Sequence, residues 1–193
     1  MNKSTILSGS NEATRIVGKK LSGSGHRLAR IFSRCFSSVF KNRKNIYDLF
    51  FSLTKKLNKF FSISHAILII HSEHDDRLKV IAMKGKKRTH LGLALTLPRQ
   101  DSLLYSIFSR GIIYTRNFPV EVECNFVEKK LLFQESTNSI AVCPITSDGS
   151  VRGLICLASP ILYAFSMFED GILDGILEEF GLSLSRELDR YLI

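Results

Sequence analysis

Four cysteines and one acidic turn are the residues whose types and spacing invite a chemical reading. "SIAVCPITSDGSVRGLICLASP", residues 139–160, carries Cys143 and Cys156 on two apolar runs either side of Asp148-Gly149. Asp-Gly between β-rich runs predicts a hairpin, because glycine accepts the positive φ of a tight turn. If Ser147 pairs with Ser150, Cys143 lies opposite Leu154 and Ala141 opposite Cys156. Both sulfurs then share one sheet face on a diagonal, too far apart for a relaxed disulfide. A slip or bulge could bring them together, so the spacing leaves a redox pair and two buried thiols both open. The remaining cysteines, Cys35 and Cys124, make no CxxC pair with any other, which argues against a zinc site.

His71-Ser-Glu73-His74-Asp75-Asp76 packs five metal-ligating side chains into six residues. Their angular spread suits a hairpin turn better than a tetrahedral site, and the expectation is no metal. Lys84-Gly85-Lys86-Lys87-Arg88 has the charge to meet a phosphate, but no aromatic platform accompanies it. It reads as a solvated loop, and nucleic acid is not an expected partner.

Charge divides the chain. Residues 1–44 hold ten Lys/Arg and one acid, Glu12; residues 45–193 hold 17 of each sign. The whole net charge of +9 therefore belongs to the leader. Residues 1–25, rich in Ser, Gly and Asn, read as disordered. Residues 26–44 read as a basic amphipathic helix: Phe32, Phe36, Val39 and Phe40 form a stripe, with Arg27, Arg30 and Arg34 between them. Such a helix extends a domain's first helix into a dimer interface, lies on an anionic membrane, or serves targeting. Residues 45–193 form one domain. Hydrophobic content of 45% supports a real core, and no apolar run approaches the ~18 residues that span a bilayer. The sparse cysteines and polar N-terminus point to a cytoplasmic protein, with peripheral membrane contact or organelle targeting through the leader left open.

The elements that must position these residues follow from periodicity. Ile46 to Phe61 repeats at helical spacing, and residues 65–84 form a hairpin turning at 74–76. Asp101 or Ser102 caps a short helix that Gly111 ends, residues 112–115 make a strand, and a helical turn falls near Glu128 to Gln134. Ser166-Met-Phe-Glu169 has capping-box spacing and is expected to start the last helix, whose glycines (Gly171, Gly175, Gly181) suggest close packing.

This order, with "NSIAVCPITSDGSVRGLICLASP" and "AFSMFEDGILDGILEEFGLSLS", resembles a GAF domain over roughly residues 45–190. The resemblance implies an α/β (α+β) fold: a central antiparallel sheet of five to six strands, terminal helices on one face and a ligand pocket on the other. The pocket would be roofed by residues 99–138, with Tyr105, Phe126, Phe133, Ser139, Ala141, Cys143 and Cys156 as its expected lining. The Asn-Lys-Phe-Asp-Glu signature of cyclic-nucleotide members is absent, and Cys124 precedes Asn125 rather than the His of bilin-binding members. No cofactor is specified. The implied function is a non-enzymatic sensory or regulatory module, homodimeric through its helices or signalling to a partner protein, with a small ligand of unspecified identity. The alternative is the GAF-type reductase of free methionine-R-sulfoxide, which needs an attacking and a resolving thiol. That branch carries its catalytic cysteines in the irregular segment, where this chain offers only Cys124.

Overall fold

Asn45 opens the first described helix: its side-chain oxygen accepts the Asp48 N–H at 2.9 Å. The computed structural model describes Phe36, Val39 and residues 45–85, 89–117, 122–133 and 137–191. Helix α1 spans Ile46–Phe61 and buries Ile46, Leu49, Phe50, Leu53, Leu57 and Phe61, the stripe that helical periodicity dictates. Ser62, left-handed at φ 48°, ends it. Then follow β1 (His65–Ser72), β2 (Arg77–Lys84), β3 (Thr89–Thr96), α2 (Leu103–Arg110), β4 (Tyr114–Asn117), α3 (Phe126–Leu132), β5 (Ser139–Ser147) and β6 (Ser150–Ser159). A 3₁₀ turn at Ser166–Asp170 precedes α4, Asp174–Tyr191.

The strands form one antiparallel sheet in the order β3-β2-β1-β6-β5-β4. One face carries α1 and α4 over Leu68, Ile70, Ala141, Cys143, Ile145, Ile155 and Leu157. Phe36 and Val39, expected on the amphipathic leader helix, are helical and buried in this same cluster, so packing continues across residue 44. The other leader residues of that stripe, Phe32 and Phe40, and Arg27, Arg30 and Arg34 lie outside the described residues. The opposite face carries Ile67, Ile69, Leu78, Val80, Val142, Leu154 and Cys156 beneath α2 and α3.

Two sequence expectations are corrected here. Ser147 does pair with Ser150, but Arg152 is an extra residue: Thr146 faces Val151 while Ile145 faces Gly153. Beyond this bulge Cys143 faces Ile155 and Val142 faces Cys156. A one-residue slip turns every later side chain over, so the two cysteines point to opposite faces of the sheet. Gly153 marks the place, since a Cβ there would overlap the Ile69 carbonyl oxygen of β1. The second correction concerns α4. Ser166 makes no side-chain cap; the Gly171 N–H closes the 3₁₀ turn on Phe168, with φ 73° at Gly171, and α4 begins only at Asp174.

Candidate functional site

Ser102 and Asn125 start the two short helices that cover the second face. The Ser102 hydroxyl accepts the Tyr105 N–H at 3.0 Å, and Gly111 closes α2 with φ 64°. Asn125 caps α3 by accepting the Glu128 N–H at 3.0 Å, and its amide donates to the Gln100 carbonyl at 3.4 Å. Glu128 returns the connection. Its carboxylate accepts the Leu103 N–H at 2.9 Å, the Leu104 N–H at 3.2 Å and the Ser102 hydroxyl. The carboxylate thus sits on the N-terminus of α2, where orphan N–H groups and the helix dipole favour negative charge.

Glu128 is fully buried. Loss of solvent pushes its pKa above the ordinary carboxyl value, against the opposing pull of Ser102 and the backbone donors. Beside this latch a half-open cleft of about 530 Å³ is lined by Asp101, Ser102, Leu103, Ser106, Val122, Glu123, Cys124 and Lys129. Its walls are mixed: two hydroxyls, one thiol, one ammonium and two carboxylates among apolar groups. The Cys124 thiol is half-buried, and its pKa is raised by burial and then by the Glu128 charge. A smaller cleft of about 290 Å³ on the other face lies beside Lys84, whose ammonium donates to the Thr54 hydroxyl at 3.2 Å.

The structure disperses the seven residues expected to line a pocket. Tyr105, Phe133 and Cys156 pack into the cluster under α2 and α3. The Tyr105 hydroxyl accepts the Leu78 N–H at 2.8 Å, and the Arg99 guanidinium stands 5.2 Å above its ring. Ala141 and Cys143 lie in the cluster on the α1/α4 face. The Ser139 hydroxyl donates to the Ile161 carbonyl at 2.7 Å, and Phe126 is 71% exposed beside Lys130. Directly against the sheet, Ile67, Ile69, Leu104 and Val142 are 0% exposed, so side chains fill that space. The cleft opens farther out, between the start of α2 and the approach to α3. Glu128 and the cleft were missed, although Glu128 shares a helical stripe with the buried Leu131 and Leu132.

The acidic turn is committed elsewhere. Asp75 pairs with Lys79 at 2.6 Å, Asp76 with Arg99 and with His71 at 2.8 Å, and Glu73 with Arg152. Among the described residues no three ligating side chains converge on a metal site. Lys86, Lys87 and Arg88 lie outside the described residues.

No protein-family model and no curated protein sequence matches this chain. Solved structures do. The GAF domain of a two-component sensor histidine kinase from Bacillus halodurans is similar at 19% identity and TM-score 0.64, covering 78% of this chain and all of that one. The GAF domain of an Acinetobacter phosphoenolpyruvate-protein phosphotransferase is similar at 13% identity and TM-score 0.65, over 90% of this chain and all of that one. The free methionine-R-sulfoxide reductase of Neisseria meningitidis, solved with its substrate, is similar at 13% identity and TM-score 0.58, over 86% and 95%. Sheet order, helix placement and these likenesses agree: the chain has the GAF-domain fold.

Proposed function

We propose that this chain is a sensory or regulatory module that takes a small polar molecule in the cleft between α2 and the approach to α3. The observation that carries the reading is the Glu128 latch. One buried carboxylate ties α3 to the first turn of α2 at the cleft wall, so a ligand seated there acts on both helices. Its effect would travel through the sheet to α1 and α4, the helices through which a homodimer or a signalling partner would read it. The likeness to the GAF domain of a sensor histidine kinase supports this class.

Native mass spectrometry on the full chain purified from its own cells tests the reading. A small molecule should be retained, and Ser106→Tyr, which fills the cleft, should release it without lowering the melting temperature by more than a few degrees. No retained mass, together with no thermal shift across a metabolite panel, would sink it.

A thiol-dependent reductase of free methionine-R-sulfoxide is the second reading, favoured by the placement of Cys124 in the cleft. Such a reaction needs a thiolate to attack sulfur and a second thiol to resolve the product. Cys156 lies buried beneath α2 and α3, Cys143 on the other side of the sheet, and burial pushes both thiols up. These features favour a binding module. Incubation with free methionine-R-sulfoxide and a thiol donor separates the readings, since turnover dependent on Cys124 would replace the first with the second.

A further inference from the structure

Lys84 opens the basic run Lys84-Gly85-Lys86-Lys87-Arg88, yet it does not stand in a solvated loop. It is the last residue of β2, opposite Ala66 of β1, on the sheet face that α1 covers. Its ammonium donates to the Thr54 hydroxyl at 3.2 Å and to the Phe51 carbonyl at 3.5 Å, both on α1. Thr54 is buried, and its hydroxyl donates in turn to the Phe51 carbonyl at 3.2 Å. The Phe51 ring centre lies 5.8 Å from the same ammonium. Strand and helix are thus joined by a cation whose partners are all neutral.

That cation has no counter-charge among the described residues. Their ion pairs lie at the 71–79 turn, at Arg99 and at Arg152, and none includes Lys84 or Lys55. The charge that acts on Lys84 is of its own sign: Lys55, exposed on α1 directly after Thr54. Burial, and then Lys55, hold the Lys84 pKa below the ordinary lysine value. A half-buried ammonium that its surroundings disfavour is one that an incoming anion stabilises.

The recess of about 290 Å³ beside Lys84 gives an anion room. Thr54 and Asn58 line it from α1, and Ser64 lines it from the approach to β1. Its lining holds no carboxylate, whereas the cleft beside α2 holds Asp101 and Glu123. The volume stands at the lower end of the ~300–1,000 Å³ usual for small-molecule sites, so the occupant is small. Two ammonium groups match a dianion. A phosphate monoester carries about −1.5 to −2 charges at neutral pH and offers three acceptor oxygens. Lys84, Lys55 and the Asn58 amide supply donors for them. We infer that the recess between α1 and the end of β2 binds a small phosphate monoester, with Lys84 as the inner charge and Lys55 as the outer one. Such a ligand would tie α1 more tightly to β2. The inference does not rest on ligand sensing in the cleft beside α2.

The test must resolve single lysines, because a chain of net charge +9 attracts anions at many places. The full chain is treated with acetic anhydride at fixed ionic strength, and acetylation of each lysine is followed by peptide mass spectrometry. Glycerol 3-phosphate at millimolar concentration is the probe, with glycerol as the neutral control and acetate as the singly charged one. The probe should slow acetylation of Lys84 at least about threefold, the change that two-thirds occupancy produces. Lys79 and Lys129, outside the recess, should keep their rates, and neither control should protect Lys84 as well. Lys55→Gln alters an exposed side chain and should leave the fold intact while weakening the protection of Lys84 severalfold. Lys84 unprotected by the probe, or protected no more than Lys79 and Lys129, overturns the inference. Equal protection by acetate or glycerol, or a Lys55→Gln variant protected as well as wild type, overturns it too.

Discussion

The two faces of the sheet are covered by different means. On one, helices of 16 and 18 residues lay their apolar stripes over a cluster that includes the largest fully buried side chains, Phe36, Phe50, Phe165, Phe168 and Phe180. On the other, helices of eight and seven residues cover a mainly aliphatic layer and are located by polar bonds: Glu128 to the α2 N-terminus, Tyr105 to the Leu78 N–H. Helices that short are not stable alone, so their position depends on those bonds. One face is a packed platform and the other a latched cover. Local opening belongs to the cover, which is where the cleft lies.

Substitutions in α4 probe the platform, with the largest expected effect. A Cβ at Gly181 would overlap the Thr146 carbonyl oxygen, whereas one at Gly175 would meet nothing within 4 Å. Gly181→Ala must therefore push α4 away from β5, and overpacking of this kind costs about 1–3 kcal/mol of global stability. Gly175→Ala gains only helix propensity and should stabilise by roughly 0.5–1 kcal/mol. Urea unfolding of the two variants, made on the same helix six residues apart, decides the matter. Equal effects would mean that α4 does not press on β5.

The latch is probed by Glu128→Ala, which strips the acceptor from the Ser102 hydroxyl and two backbone N–H groups. Stranding buried donors costs about 1–3 kcal/mol. Here the loss should fall on the cover: amide exchange in α2 and α3 should quicken far more than in α1 or α4. Uniform quickening would erase the distinction between the faces. The carboxyl also carries a pH signature. Its folded pKa lies above the unfolded one, so its contribution to stability is full at pH below the unfolded value and is lost as pH rises through the raised folded value. Measured against Glu128→Gln, the wild type's relative stability should fall across that acidic window and be flat above it.

What was legible in the sequence was what local signals determine. The α1 stripe, the turn at 74–76, the Ser102 cap and the Gly111 stop each depend on residues within a few positions of one another, and all stand in the structure. The Arg152 bulge has no such local determinant. It is tied to the close approach of the Ile69 carbonyl from a strand more than eighty residues earlier, which only glycine at 153 allows. Missing it reversed the facing of Cys143 relative to Cys156. The start of α4 was misread for a related reason: Phe165 and Phe168 dock beneath Phe61 and hold Ser166–Asp170 in a separate turn. Phe126 shows the limit of composition, because it lies off the Glu128-Leu131-Leu132 stripe and stays in solvent. Glu128 was readable in principle, since an acid on a buried stripe requires a partner.

The smallest effect sharpens the comparison most, because it reports from both faces within one molecule. In a Cys35→Ser background, an alkylating reagent meets three free thiols: Cys124 half-buried in the cleft, Cys156 under the cover and Cys143 under the platform. Cys124 should react first, although its raised pKa makes it slower than an exposed thiol. Cys156 should follow at least about tenfold more slowly, limited by opening of α2 and α3, and Cys143 last, limited by global unfolding. Glu128→Gln keeps the size of the side chain but weakens its hold on the three donors. It should speed Cys156 severalfold and leave Cys143 unchanged, with the sites resolved by peptide mass spectrometry. If both buried thiols accelerate together, the cover and the platform open as one unit, and a ligand in the cleft has no separate element to move. If only Cys156 responds, the face that carries the cleft can open without disturbing the helices that would pass its signal on, and a ligand that closes the cleft should slow Cys124 and Cys156 alike.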